Sequence, residues 1–138
     1  MTKGGLSKSE RIYLRDEIEA LFRSREGFVS YPVRLLYLLA PRTEGESPLK
    51  LLISVPKKRL RHAVDRNRVK RLFREAVRLR KALFAEAIPP ETALHLALVY
   101  ISDDVCSYRD ASKAVEKAAA KLADRLSPSP EVPDPQAV

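Results

Sequence analysis

Two short apolar runs, residues 49–55 (LKLLISV) and 94–101 (LHLALVYI), are separated by one long stretch of helical periodicity at residues 64–87. Strand, helix and strand in that order, at that length, predict two parallel strands joined by a crossover helix. The helix must then lie over a sheet, so the chain is confined to layered α/β builds. Other segments fit around that unit. Residues 33–40 (VRLLYLLA) are apolar on both faces, as a covered strand is. A short extended piece at 28–31 adds a fourth strand candidate. Residues 9–25 predict a first helix, with Ile12, Leu14, Ile18, Leu21 and Phe22 near helical spacing, Ser9 as its cap and Gly27 as its stop. Residues 108–126 predict a last helix with Ala111, Val115, Ala118, Ala119 and Leu122 on one face, capped by Asp104 or Ser107. The final segment, 127–138, holds four of the ten prolines and little that packs, and is expected to be a disordered tail beyond a single domain spanning 1–126.

The crossover helix is also where the charge sits. Residues 57–81 hold twelve Lys/Arg against Asp65 and Glu75, a net of +10; the whole chain is +8, so the other 113 residues sum to −2. Charge concentrated in this way creates a local field whose natural counter-surface is a polyanion. Placed at about 100° per residue with Val69 as zero, Leu72, Phe73, Ala76, Val77, Leu83 and Phe84 fall within about 80° of it. That is a stripe broad enough to dock on a core. Asn67, Lys70, Arg71, Arg74, Arg78 and Lys81 fall between about 100° and 200° and form a continuous polar, mostly basic face. Arg80 lands inside the apolar arc and is expected to snorkel outward.

Composition excludes several classes. One cysteine, Cys106, allows no internal disulfide, and no Cys/His spacing matches a metal site. No segment offers the ~18 apolar residues of a membrane span, and the first residues lack the apolar core of a secretory signal. The cytoplasm is the expected compartment. His62 and His95 stand alone and read as surface or packing residues. Asp103 and Asp104 are adjacent loop acids, which more often cap or solvate turns than hold Mg²⁺. No group of carboxylates has the organisation that a metal-dependent protein nuclease needs.

At residues 54–75 the pattern becomes specific. Ser54-Val55, Lys57-Lys58, Ala63-Val64, Arg66-Asn67, Lys70-Arg71 and Arg74-Glu75 occur at fixed spacing across a strand end, a loop and a helix. This segment resembles the signature of the protein subunit of bacterial ribonuclease P. The order of the flanking elements agrees with that family over about residues 9–126. The resemblance implies an α/β (α+β) two-layer sandwich with a four-stranded mixed sheet, in the order αβββαβα, and an unusual left-handed crossover between its parallel strands.

The resemblance also implies a division of labour. In that family the RNA subunit is the ribozyme, removing the 5′ leader of precursor tRNA with Mg²⁺ ions. The basic protein binds the catalytic RNA and the single-stranded leader and is inactive alone. Lys57, Lys58, Arg59, Arg61, Arg66, Asn67, Arg68, Lys70, Arg71, Arg74 and Arg78 are thereby the expected contacts with the ribozyme RNA. Chemistry alone leaves Asn67 open between a base or sugar contact and a helix cap. Five aromatics, Tyr13, Phe22, Phe28, Tyr31 and Tyr37, are candidates for stacking on unpaired leader bases, against the alternative of core packing. Tyr13, Phe22 and Tyr37 lead that set. The family often carries phenylalanine where Ile18 aligns, a departure that removes one stacking ring. Phe73 reads as core.

A ribosomal-type or RNA-chaperone protein explains the basic helix but not the joined signature. A helix-turn-helix DNA reader would place a partner helix, not a strand and loop, before the basic helix. Neither DNA nor a membrane is an expected partner.

Overall fold

The computed structural model describes residues 15–23, 26–42 and 47–126. Along these the order is α1 (Arg15–Arg23), β1 (Gly27–Ser30), β2 (Val33–Pro41), β3 (Leu49–Ser54), α2 (Ala63–Leu79), α3 (Lys81–Ala87), β4 (Thr92–Tyr100) and α4 (Tyr108–Leu126). One mixed sheet runs β1-β2-β4-β3, so β1 and β3 are the outer strands. β3 pairs with β4 in parallel, as the crossover demands, while β2 pairs antiparallel with both β1 and β4. The fold is the mixed four-stranded α+β arrangement expected. Tyr13 and the Ser9 cap lie outside the described residues, as does the segment 127–138.

Alternation divides each strand between two faces. Val33, Leu35 and Tyr37 of β2, Leu49, Leu51 and Ile53 of β3, and Leu94, Leu96, Leu98 and Tyr100 of β4 face the main core with α2 and α4. There Phe73 of α2 meets Tyr100 edge-on, with centroids 6.2 Å apart. The opposite sheet face carries a smaller cluster in which Leu21 of α1 and Ala97 are buried, with Ile18, Leu36, Leu38 and Leu52 around them. This second layer explains why β2 is apolar on both faces.

The crossover is two helices, not the single one expected over 64–87. α2 ends at Leu79, and Arg80 takes φ −116°, ψ 22° before α3 begins. A straight helix of that length would run about 36 Å. The break folds α3 back along α4, burying Phe84 and leaving Leu83 46% exposed instead of docked. Arg80 does not snorkel outward. Its side chain is 17% exposed; Nη1 donates to the Ala76 carbonyl, and Nη2 donates to Ser112 Oγ and to Glu116 Oε2 at 3.1 Å, both on α4. A cation near the last carbonyls of α2 is favourably placed against the helix dipole.

Two smaller expectations also change. Gly27 begins β1 and is not the stop of α1, which ends at Arg23. Ser107, not Asp104, caps α4, accepting the Asp110 N–H at 3.1 Å. Gly27 is there because β1 and β2 approach closely: an added Cβ would lie 2.3 Å from the Leu35 carbonyl oxygen. Gly27→Ala is therefore expected to cost about 1–3 kcal/mol, since the clash is with backbone that must shift. Urea unfolding checks this, and an unchanged midpoint would mean that the two strands can part without penalty.

β3 is bracketed by Pro48 and Pro56, and both contribute carbonyls to the local structure. Pro48 accepts the Leu94 N–H at 2.7 Å. Pro56 accepts the N–H groups of Arg59 and Leu60 at 2.9 and 3.3 Å, tightening the turn that leads to α2.

Candidate nucleic-acid interface

The apolar positions of α2 fix its rotation. Val69, Phe73, Ala76 and Val77 are buried, so the remaining arc must face outward. Asn67, Arg68 and Arg71 are exposed there, with Lys70, Arg74 and Arg78 partly exposed beside them. Asn67 is the fifth residue of α2, while the N-cap position belongs to His62, which makes no side-chain cap. The cap reading of Asn67 is thus wrong: its amide stands free of the helix start, on the basic face.

The loop before α2 extends this surface because three contacts hold it in place. Leu60 is buried and anchors it from below. Arg66 Nη1 donates to the carbonyls of Leu60 and Arg61, both at 2.9 Å, tying the loop to the helix. Arg59 reaches Asp103 at 3.2 Å, tying it to the loop after β4. Lys57, Lys58 and Arg61 are left exposed. The arginines of this basic surface therefore divide by task. Arg66 and Arg59 spend donors on positioning, whereas Arg68 and Arg71 have no ion-pair partner among the described residues.

Arg78 is committed in a different way. It grips Glu75 with two bonds, Nε to Oε1 at 3.0 Å and Nη2 to Oε2 at 2.6 Å. These hydrogen bonds hold the Glu75 carboxyl below its ordinary value and raise Arg78 in return. Both side chains are about one-third exposed, so the pair contributes little to stability. It does use one of the cations that the helix projection assigned to binding.

The sheet face that carries α1 offers a second surface. Phe22 of α1 is 47% exposed. It lines a groove of about 460 Å³ with Val29, Arg34, Leu36 and Val99. Tyr37 is elsewhere: its ring is 7% exposed and packs in the main core on the opposite face, 6.4 Å from the Phe28 ring. Its hydroxyl reaches Glu26 Oε1 at 3.4 Å. The packing alternative holds for Tyr37, and stacking would require it to leave the core. Phe28 is likewise engaged, with Lys121 Nζ and Arg125 Cζ each 5.0 Å from its ring centroid. Ile18, where the family often has an aromatic, packs beside Leu21.

Burial pushes the Cys106 thiol up, away from the reactive thiolate, and does the same to the Tyr100 hydroxyl. Among the described residues no three His, Cys, Asp or Glu side chains converge as metal ligands, and no helix is long and apolar enough to cross a membrane.

A family model described as Ribonuclease P matches residues 6–126. The ribonuclease P protein component of Porphyromonas gingivalis is 41% identical over 126 residues, covering 91% of each chain. The chain belongs to the ribonuclease P protein component family. Another member, from Nitrosomonas eutropha, is 36% identical over 117 residues, covering 85% of this chain and 93% of that one. The solved RNase P protein of Staphylococcus aureus superposes with a TM-score of 0.63 at 19% identity, over 84% of this chain and 96% of its own. That likeness shows the fold alone. Membership in the ribonuclease P protein family links this chain to tRNA processing and RNA binding.

Proposed function

We propose that this chain is the RNA-binding subunit of a ribonuclease P holoenzyme. It binds the catalytic RNA through α2 and its preceding loop, and the single-stranded 5′ leader of precursor tRNA through the groove between α1 and the sheet. The observation that carries this reading is the exposure of Asn67, Arg68 and Arg71 on one helix face. That face is continuous with Lys57, Lys58 and Arg61 on a loop which Arg66 and Leu60 hold in line. Phosphate contacts from such a face supply affinity by counterion release. In the groove, Phe22 is the exposed ring available to an unpaired base and Arg34 the adjacent cation. Tyr13 stays within the proposal as a leader contact from outside the described residues; Tyr37 leaves it because its ring is buried. The reading takes 1–126 as one RNA-binding domain, in keeping with the family match over 6–126.

Bond cleavage belongs to the RNA in this reading, together with the Mg²⁺ ions that support it. Asp103, one of the two adjacent loop acids, is engaged by Arg59.

Reconstitution tests the reading. The purified protein alone is expected to leave precursor tRNA intact, and addition of a ribonuclease P RNA at low Mg²⁺ is expected to give 5′ processing faster than that RNA alone. Cleavage by the protein without RNA would refute the division of labour. A protein that binds RNA but does not stimulate the ribozyme would favour the ribosomal-type alternative.

A further inference from the structure

Tyr31 is the most exposed aromatic residue among those described, at 68%, in the turn between β1 and β2. Beside it opens a cavity of about 410 Å³ whose polar lining includes Ser102, Asp104, Asp110, Lys113 and Lys117. The two lysines are one turn apart on the same face of α4, both exposed. An open ring, a pair of cations and a set of oxygen acceptors around one cavity are the three elements that a nucleotide engages. The ring stacks on the base, the ammonium groups take the phosphate, and carboxylates accept from exocyclic amino groups.

We propose that this pocket holds one unpaired RNA nucleotide, its base on Tyr31 and its phosphate at Lys113 and Lys117. The proposal rests on the RNA-binding reading above and adds a contact beyond the α2 face and the α1 groove. Its placement supports it. Val29, which lines the groove, precedes Tyr31 by two residues, roughly 6.8 Å of extended chain. On the other side, Ser102 and Asp104 flank Asp103, which holds Arg59 of the basic loop. The pocket thus lies two residues along the chain from the groove and beside the residue that holds the basic loop. Asp104 and Asp110 offset the two lysines, so stacking and not net charge must carry the affinity.

The same chemistry serves a leader nucleotide or an unpaired nucleotide of the catalytic RNA, and the test separates them. With the full-length protein and a fluorescein-labelled, unstructured ten-nucleotide RNA, Tyr31→Ala is expected to weaken binding roughly tenfold while Tyr31→Phe binds like the unaltered protein. Lys113→Gln with Lys117→Gln should flatten the salt slope by about 0.7, the share of the one phosphate they hold, and an unchanged slope would mean that the phosphate does not sit there. In the holoenzyme, a KM increase for Tyr31→Ala confined to long-leader substrates assigns the nucleotide to the leader. Weaker assembly with the catalytic RNA, whatever the leader, assigns it to the ribozyme. If Tyr31→Ala binds both RNAs as the unaltered protein does, the pocket proposal is wrong while the wider reading stands. If the unaltered protein binds neither RNA, both fall.

Discussion

Arg68→Ala combined with Arg71→Ala is expected to weaken binding to ribonuclease P RNA roughly ten- to thirtyfold at 0.15 M salt and to flatten the salt dependence by about 1.4–1.8. The size follows from counterion release. Each phosphate contact contributes a slope of about −0.7 to −0.9, which at that salt is about 0.7 of a decade in affinity. These two arginines are the informative choice because both are exposed and neither is paired among the described residues. Substituting Arg66 would also release the loop carbonyls it holds, and substituting Arg78 would strand Glu75. Stability of the double variant should stay within about 0.5 kcal/mol of the unaltered protein, as befits exposed positions. An unchanged salt slope would show that this face is not the contact.

Phe73→Ala should do the reverse. The ring is fully buried, two residues from Arg71 on the same helix, and packs edge-on against Tyr100. Removing it costs about 3–5 kcal/mol, transfer and cavity together. Against a total stability of about 5–15 kcal/mol for a domain of ordinary size, that is a large share of the whole. Urea unfolding reads the loss directly, and binding measured on the folded fraction should keep the salt slope of the unaltered protein. A midpoint change worth under about 1 kcal/mol would mean that the core closes over the gap. Together the two variants separate the stripe that docks from the face that binds, although both lie on one helix of seventeen residues.

That separation was legible in the sequence because helical angle is a local property. Each strand and α4 was legible for the same reason, and the signature made the partner legible as well. What escaped depends on residues distant in the chain. Arg80 projects into the apolar arc, so the sequence offers no reason to end α2 there; its partners Ser112 and Glu116 lie more than thirty residues on. Asp103, which engages Arg59, lies on another loop and so outside any count of acids within residues 57–81. Tyr37 shows a third limit. β2 is apolar on both faces, so alternation told which residues share a side but not which side receives α1. Asn67 was ambiguous because the start of α2 was uncertain by a few residues, enough to confuse a cap with the helix surface.

The prolines that bracket β3 have a consequence for copies of this protein in a crowd. β3 is an edge strand, with no further strand hydrogen-bonded on its outer side among the described residues. Such an edge is a template for pairing with a neighbour's chain. Pro48 and Pro56 supply no N–H just beyond either end, so the open ladder can lengthen by no more than Val55 past the six residues of the strand. The opposite edge, β1, is only four residues long. A polyanion gathers basic proteins to high local concentration, where edge-to-edge association competes with proper assembly. Two short, blunted edges keep the sheet from adding strands under those conditions.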